Sequence, residues 1–217
     1  METLQVEIPV DHVTLGGILE IPGGARAVVV FVHGSGSSRF SPRNRQVAAC
    51  LHHAGFATLL FDLLTPEEQR QDDVDATYRF DIALLARRLE ATLAWLVQRS
   101  DVGLLRVGLF GASTGAAAAL VAAARTRSVG AVVSRGGRPD LARTALPSVC
   151  APTLLIVGEL DTEVIRLNRK AAEQLTCEHR MAIVAGATHL FEEPGALDEV
   201  SRLASGWFVR WLGARSF

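Results

Sequence analysis

Gly111-Ala112-Ser113-Thr114-Gly115 is a G-x-S-x-G pattern. An apolar run, RVGLFG (106–111), leads into it, and an alanine-rich stretch, AAAALVAAA (116–124), leads away. That context predicts a strand, a very tight turn and a helix. A serine at such a turn is held in a strained conformation with its hydroxyl exposed, and the flanking positions must lack bulk. The following helix directs its first amides at the same point, where they favour developing negative charge. The chemistry implied is nucleophilic attack by Ser113 on an acyl carbon. The plain alternative is a glycine-flanked serine that only caps a helix.

A serine nucleophile needs a base, and the base needs an orienting acid. Asp161 follows the apolar run PTLLIVGE (152–159), and His189 follows MAIVA (181–185). The order Ser113, Asp161, His189 is the one found in strand–turn–helix serine hydrolases. The other histidines compete poorly. His12 lies near the N-terminal edge, His52 and His53 sit in a helical stretch, and His179 begins a strand. His33 closes the run AVVVFVH (27–33) just before Gly34, a position that suits holding loop backbone. Glu159 is the chief rival to Asp161, while Asp62 and Asp81 precede the serine and suit structural roles. Acyl transfer also needs two donors for the oxyanion. The Thr114 N–H is one. The second comes from the loop after His33: Ser35 N–H is the first choice and Gly36 the second. Gly34 and Gly36 leave room there for backbone to approach a substrate.

Of 22 basic residues only Lys170 is a lysine. Arg39, Arg43, Arg135 and Arg138 all follow runs that end near the expected site. Arginine binds carboxylates in a bidentate way, so these residues are candidates for an acidic substrate, with Arg135 first among them. Solvated or structural arginines are the competing interpretation.

Positioning such a site requires strands that end at one edge. The runs already named, with ATLLFD (57–62) and GAVVS (130–134), are mostly continuous rather than alternating. Continuous apolar strands are covered on both faces, as in a parallel sheet. Helical stripes lie between them: Ile82, Leu85, Leu89, Leu93 and Leu96, then Leu197, Val200, Leu203, Trp207 and Trp211. Arg87, Arg88, Glu90 and Arg99 fall mostly off the first stripe. The β-α alternation implies an open α/β sheet with helices on both faces. Gln5–Val10 and His12–Ile21 are expected as an antiparallel pair at one edge. Leu63–Thr77 is expected to be irregular, a mobile rim to the site.

With 217 residues, 49% hydrophobic and 21% charged, the composition excludes disorder, collagen and coiled coil. The length suits one domain, 1–217. A formal net charge of −1 offers no general attraction to nucleic acid or to acidic membranes. No apolar run approaches the ~20 residues of a membrane span. Glu2 and Glu7 oppose an export signal, so a cytoplasmic location is expected. Cys50, Cys150 and Cys177 are odd in number and widely spaced, which argues for free thiols and against a disulfide framework or zinc site.

Together HGSGSS (33–38), GASTG (111–115), the Asp161 loop and GATHLFEEPGAL (186–197) resemble the α/β-hydrolase superfamily. The likeness runs from about Val28 to Leu212 and is strongest to its small, cap-less, dienelactone hydrolase-like branch. That resemblance implies an eight-stranded, mostly parallel sheet and carboxylic-ester hydrolysis with no metal or cofactor. Dienelactone hydrolase itself uses a cysteine nucleophile where this sequence has Ser113, so a general serine esterase is expected before a lactone-specific enzyme. SRGGRPDL (134–141) and GATHLFEEPG also look like bacterial hydrolases sometimes fused to phosphoribosyltransferase-like domains, and no such domain is expected in this chain. Only Arg135 to Ala151 separates two strands where larger relatives insert a cap, which implies an open site for small or medium acyl groups. Thioesters, amides and organophosphates are alternatives with the same machinery, and a non-catalytic binding protein is the alternative from another class. The expected partner is a small-molecule ester, with no nucleic acid or membrane, for a monomer or homodimer.

Overall fold

The computed structural model describes residues 1–213, so residues 214–217 of the expected domain lie outside it. Eight strands form one sheet. In chain order they are β1 (Glu2–Val10), β2 (Val13–Ile21), β3 (Ala27–Val32), β4 (Phe56–Phe61), β5 (Arg106–Ala112), β6 (Val129–Arg135), β7 (Thr153–Gly158) and β8 (His179–Val184). Their order across the sheet is β1-β2-β4-β3-β5-β6-β7-β8. β1 and β2 are antiparallel neighbours at one edge, and β2 meets β4 antiparallel. All later pairings are parallel. The architecture is that of an α/β-hydrolase, mostly parallel and without a large cap.

Most of the continuous apolar runs are buried on both faces as expected, with every residue of β3, β4 and β7 buried, whereas the edge strand β8 is largely uncovered and leaves Ile183 exposed. One face packs on α1 (Pro42–His53) and α6 (Ala196–Leu212), through Val47, Leu51, Val200 and Phe208. The other packs on α3 (Ile82–Val97), α4 (Thr114–Arg125) and α5 (Thr162–Ala172). Ala116 to Ala119 of α4 are fully buried, so the missing side-chain bulk becomes close helix–sheet approach. Both helical stripes read from the sequence face these cores. Among the described residues no helix is long and apolar enough to cross a membrane.

Two expectations change. The stretch Leu63–Thr77 is not irregular: it contains α2 (Pro66–Asp75). Thr65 caps that helix with a reciprocal capping box to Glu68, with Pro66 at its first position. Each of these features fixes a helix start, at about 1 kcal/mol for the cap. Arg88 does not lie on the exposed side of α3. It is buried, holds Glu68 through two bonds of 2.7 and 2.6 Å, and donates to the Leu63 carbonyl at 2.7 Å. Such partners offset the cost of burying a guanidinium, and here they pin α2 to α3. The expected rim is therefore an anchored wall.

Candidate active site

Parallel strands end at one edge, and the loops following β3, β5, β7 and β8 bring the sequence candidates there. Ser113 has φ 50° and ψ −123° at the head of α4. A serine rarely adopts positive φ, and such strain persists only where its surroundings over-determine it. Its neighbours supply that constraint. A Cβ on Gly115 would stand 2.2 Å from the Val32 carbonyl oxygen and 2.3 Å from that of His33. A Cβ on Gly111 would stand 2.5 Å from Ala116 Cα. A Cβ on Gly34 would be 2.9 Å from Ser113 Cβ. Gly34 therefore serves the turn's packing, and its place beside Ser113 follows from having no side chain.

Asp161 and His189 meet, with Nδ1 of His189 donating to Oδ2 of Asp161 at 2.6 Å. Their loops are stitched together by Leu160 N–H to the Ala187 carbonyl at 2.9 Å, and by Gly186 N–H to Glu159 Oε2 at 2.8 Å. The rival acid Glu159 is thus occupied with loop backbone, while Asp161 faces the imidazole. With Nδ1 carrying the proton, the Nε2 lone pair is free to act as a base. Among the described residues no hydrogen bond joins Ser113 Oγ to His189, a contact that often tightens only with substrate present.

The proposed oxyanion donors lie side by side. Ser35 Oγ and Thr114 Oγ1 share a hydrogen bond of 3.1 Å. Among the described residues the backbone N–H groups of Ser35, Gly36 and Thr114 have no acceptor. Gly36 has φ 64° and open space around its α-carbon. His33 sets the loop: its Nδ1 donates to the Gly34 carbonyl at 2.9 Å, and its Nε2 accepts from Leu63 N–H at 3.0 Å. Burial drives its pKa below the ordinary histidine value, which keeps the ring neutral for that acceptor role.

Beside these amides lies a small cavity of about 10 Å³, lined by Ser35, Thr114, Leu63, Leu64, Leu85 and Gln69 among others. The sequence reading missed this pocket because it left α2 unformed. The signal was present in Thr65-Pro66-Glu67-Glu68.

The four arginines nominated from the sequence separate. Arg39 pairs with Asp62, Arg43 with Glu192 at 2.9 Å, and Arg138 with Asp140 at 2.8 Å. Among the described residues Arg135 has no acidic partner, and its Nε and Nη1 are buried without an acceptor.

The family model for the dienelactone hydrolase family matches residues 15–207. Two Mycobacterium tuberculosis proteins named putative phosphoribosyl transferase are 55% identical over 209 residues, covering 96% of this chain and 46% of theirs. The chain thus spans about half the length of those curated relatives. A Bradyrhizobium protein named probable 2-oxo-3-(5-oxofuran-2-ylidene)propanoate lactonase is 26% identical over 170 residues, 69% of this chain and 67% of its own. A solved dienelactone hydrolase from Anabaena variabilis superposes with a TM-score of 0.95 at 57% identity, covering 97% of this chain and 98% of its own. Est1E from Butyrivibrio proteoclasticus shares the fold, with a TM-score of 0.78 at 15% identity over 95% of this chain and 98% of its own.

Proposed function

We propose that this chain, which belongs to the dienelactone hydrolase family, cleaves carboxylic esters, open-chain or cyclic, through a Ser113–His189–Asp161 triad. The observation that carries this reading is the strained Ser113 turn on the same edge of the sheet as a 2.6 Å Asp161–His189 bond. His189 Nε2 takes the Ser113 proton as Oγ attacks the acyl carbon. The Thr114 and Ser35 amides receive the oxyanion, and Gly36 N–H is the alternative second donor. His189 returns the proton to the leaving alcohol, and water activated by the same ring releases the acid. Asp161 remains ionised and fixes the imidazole tautomer.

Family membership and the names of the Anabaena and Bradyrhizobium relatives favour a lactone as a second form of the same ester substrate. The cavity beside the oxyanion amides, walled by Leu63, Leu64 and Leu85, has a volume of only about 10 Å³ and so favours the small end of that acyl range. A phosphoribosyl transfer activity belongs to the name of the longer mycobacterial proteins, of which this chain matches 46%.

The test is hydrolysis of p-nitrophenyl acetate, butyrate and octanoate by wild type and Ser113→Ala. The expected outcome is turnover that falls with chain length and drops by about 10⁴-fold or more in the variant. Turnover equal in wild type and variant, or failure of a fluorophosphonate to label Ser113, would remove the catalytic reading in favour of a binding protein.

A further inference from the structure

The backbone of Ser113 is clasped on both sides by the loop that follows β6. Its N–H donates to the Arg135 carbonyl at 3.2 Å, and its carbonyl accepts the Arg138 N–H at 3.1 Å, sharing that oxygen with the Ala116 N–H. The Ser113 carbonyl and the Thr114 N–H are two ends of one planar peptide unit. The bond from Arg138 therefore helps fix the direction of the oxyanion amide. The Arg138 N–H in turn shares a peptide unit with the Gly137 carbonyl, and that carbonyl accepts Nδ2 of Asn168 at 3.0 Å. A Cβ on Gly137 would lie 1.9 Å from Ser134 Oγ and 2.6 Å from Ala116 Cβ, so this unit is packed against the first turn of α4. Two rigid peptide units thus run in series from Asn168 to Thr114.

Asn168 stands in α5 and is fully buried. Nδ2 also donates to the Val164 carbonyl, one turn back, at 2.8 Å. Both acceptors are carbonyls, which fixes which end of the amide is nitrogen. Among the described residues its Oδ1 is buried without a partner. A buried amide oxygen left unmatched opposes folding, so filling space alone would favour an apolar side chain here. What asparagine adds is a donor held in place by both of its N–H bonds. The helix that carries it begins at Asp161, whose carboxylate serves His189 and makes no capping bond. Asn168 lies two turns further on the same face, about 10 Å along the axis. One helix therefore holds both the acid that orients the base and the donor that heads the path to Thr114.

We propose that Asn168 is a positioning residue for the oxyanion: through the Gly137–Arg138 and Ser113–Thr114 peptide units it aims and polarises the Thr114 N–H. This rests on the hydrolase reading of Ser113 and adds a residue to it. Hydrogen bonds in series polarise one another, so a donor at the head of the chain strengthens the donor at its end. The gain falls in the transition state, where charge develops on the substrate oxygen, and not in the ground-state complex.

The experiment measures p-nitrophenyl butyrate hydrolysis by wild type, Asn168→Leu and Asn168→Ala, both of which lack the donor. Ser201→Ala is the control, because it loses a buried bond of 2.8 Å to the Leu197 carbonyl within α6. Fluorophosphonate labelling counts the active sites, so kcat is read per competent site. Both Asn168 variants should lose about 10- to 100-fold in kcat, with KM changed by less than about threefold. The inhibition constant of butylboronic acid, whose adduct with Ser113 carries an anionic oxygen, should rise by a similar factor. The control should lower Tm alone. Asn168 variants that lower Tm but keep kcat per site and boronate affinity overturn the proposal and leave a purely structural asparagine. If neither variant folds, wild type decides by nuclear magnetic resonance. Forming the boronate adduct should shift the Arg138 amide and the Asn168 side-chain amide together with Thr114, and a Thr114 shift without them overturns the relay. A wild type that neither turns over the ester nor takes the fluorophosphonate overturns the hydrolase reading and this role with it. An active wild type with unaffected variants overturns this role alone.

Discussion

Exchanging Asp161 for asparagine tests the site most directly, because the two candidate acids sit two residues apart and do different things. Asp161 Oδ2 accepts the Nδ1 proton of His189 at 2.6 Å, and its side chain is 15% exposed. Asparagine keeps the shape but can present an N–H to that nitrogen. The ring proton then moves to Nε2, where the lone pair for Ser113 is required. The ring is 39% exposed, so water competes for Nδ1 and some correct tautomer survives. In a fully enclosed triad this change costs about 10⁴-fold in kcat, or about 5.4 kcal/mol. With the half-open ring here, a loss of about 10³ to 10⁴ is expected for Asp161→Asn. Glu159→Gln removes a charge two residues earlier, but Glu159 Oε2 accepts only loop N–H from Gly186, a role the glutamine oxygen retains. It should change kcat by less than about threefold. The assay is p-nitrophenyl acetate hydrolysis at pH 8, with fold checked by circular dichroism. A kcat for Asp161→Asn above one-tenth of wild type, or a larger loss in Glu159→Gln, would refute the assignment.

Two further outcomes concern the scaffold. Gly115→Ala places a methyl 2.2 and 2.3 Å from the Val32 and His33 carbonyl oxygens, and backbone cannot yield there as a flexible side chain can. Thermal unfolding should show a loss of about 3 kcal/mol or more, and a Tm within a degree of wild type would contradict the close-packing argument. Acid sensitivity follows from His33 and His52, whose pKa values are both lowered, chiefly by burial. Their contribution is complete above the ordinary histidine value of about 6.5 and is lost as pH falls through their folded values. Denaturant melts from pH 8 to 5 should show stability falling below about pH 6.5, with a shallower fall in His33→Asn; identical slopes would remove His33 from the account.

How far the sequence reached depends on the range of the interactions involved. Ser113, its flanking glycines and the alanine-rich α4 are a local solution to a local problem, so their pattern named the turn. The continuous apolar runs specified a sheet covered on both faces, and parallel strands then forced Ser113, Asp161 and His189 to one edge. Choosing Asp161 over Glu159 was a different matter. Both stand at the end of β7, and only the fold of the following loop turns one to the imidazole and the other to Gly186. The α2 wall could have been read from its capping box, yet a helix so polar has no apolar stripe to announce it. Its place beside Ser35 and Thr114 depends on Arg88, a residue whose helical register suggested solvent. Four arginines looked alike in the sequence. Pairing is a property of three-dimensional neighbours, and only the tertiary structure gave Arg39, Arg43 and Arg138 their carboxylates and left Arg135 buried with no acidic partner among the described residues.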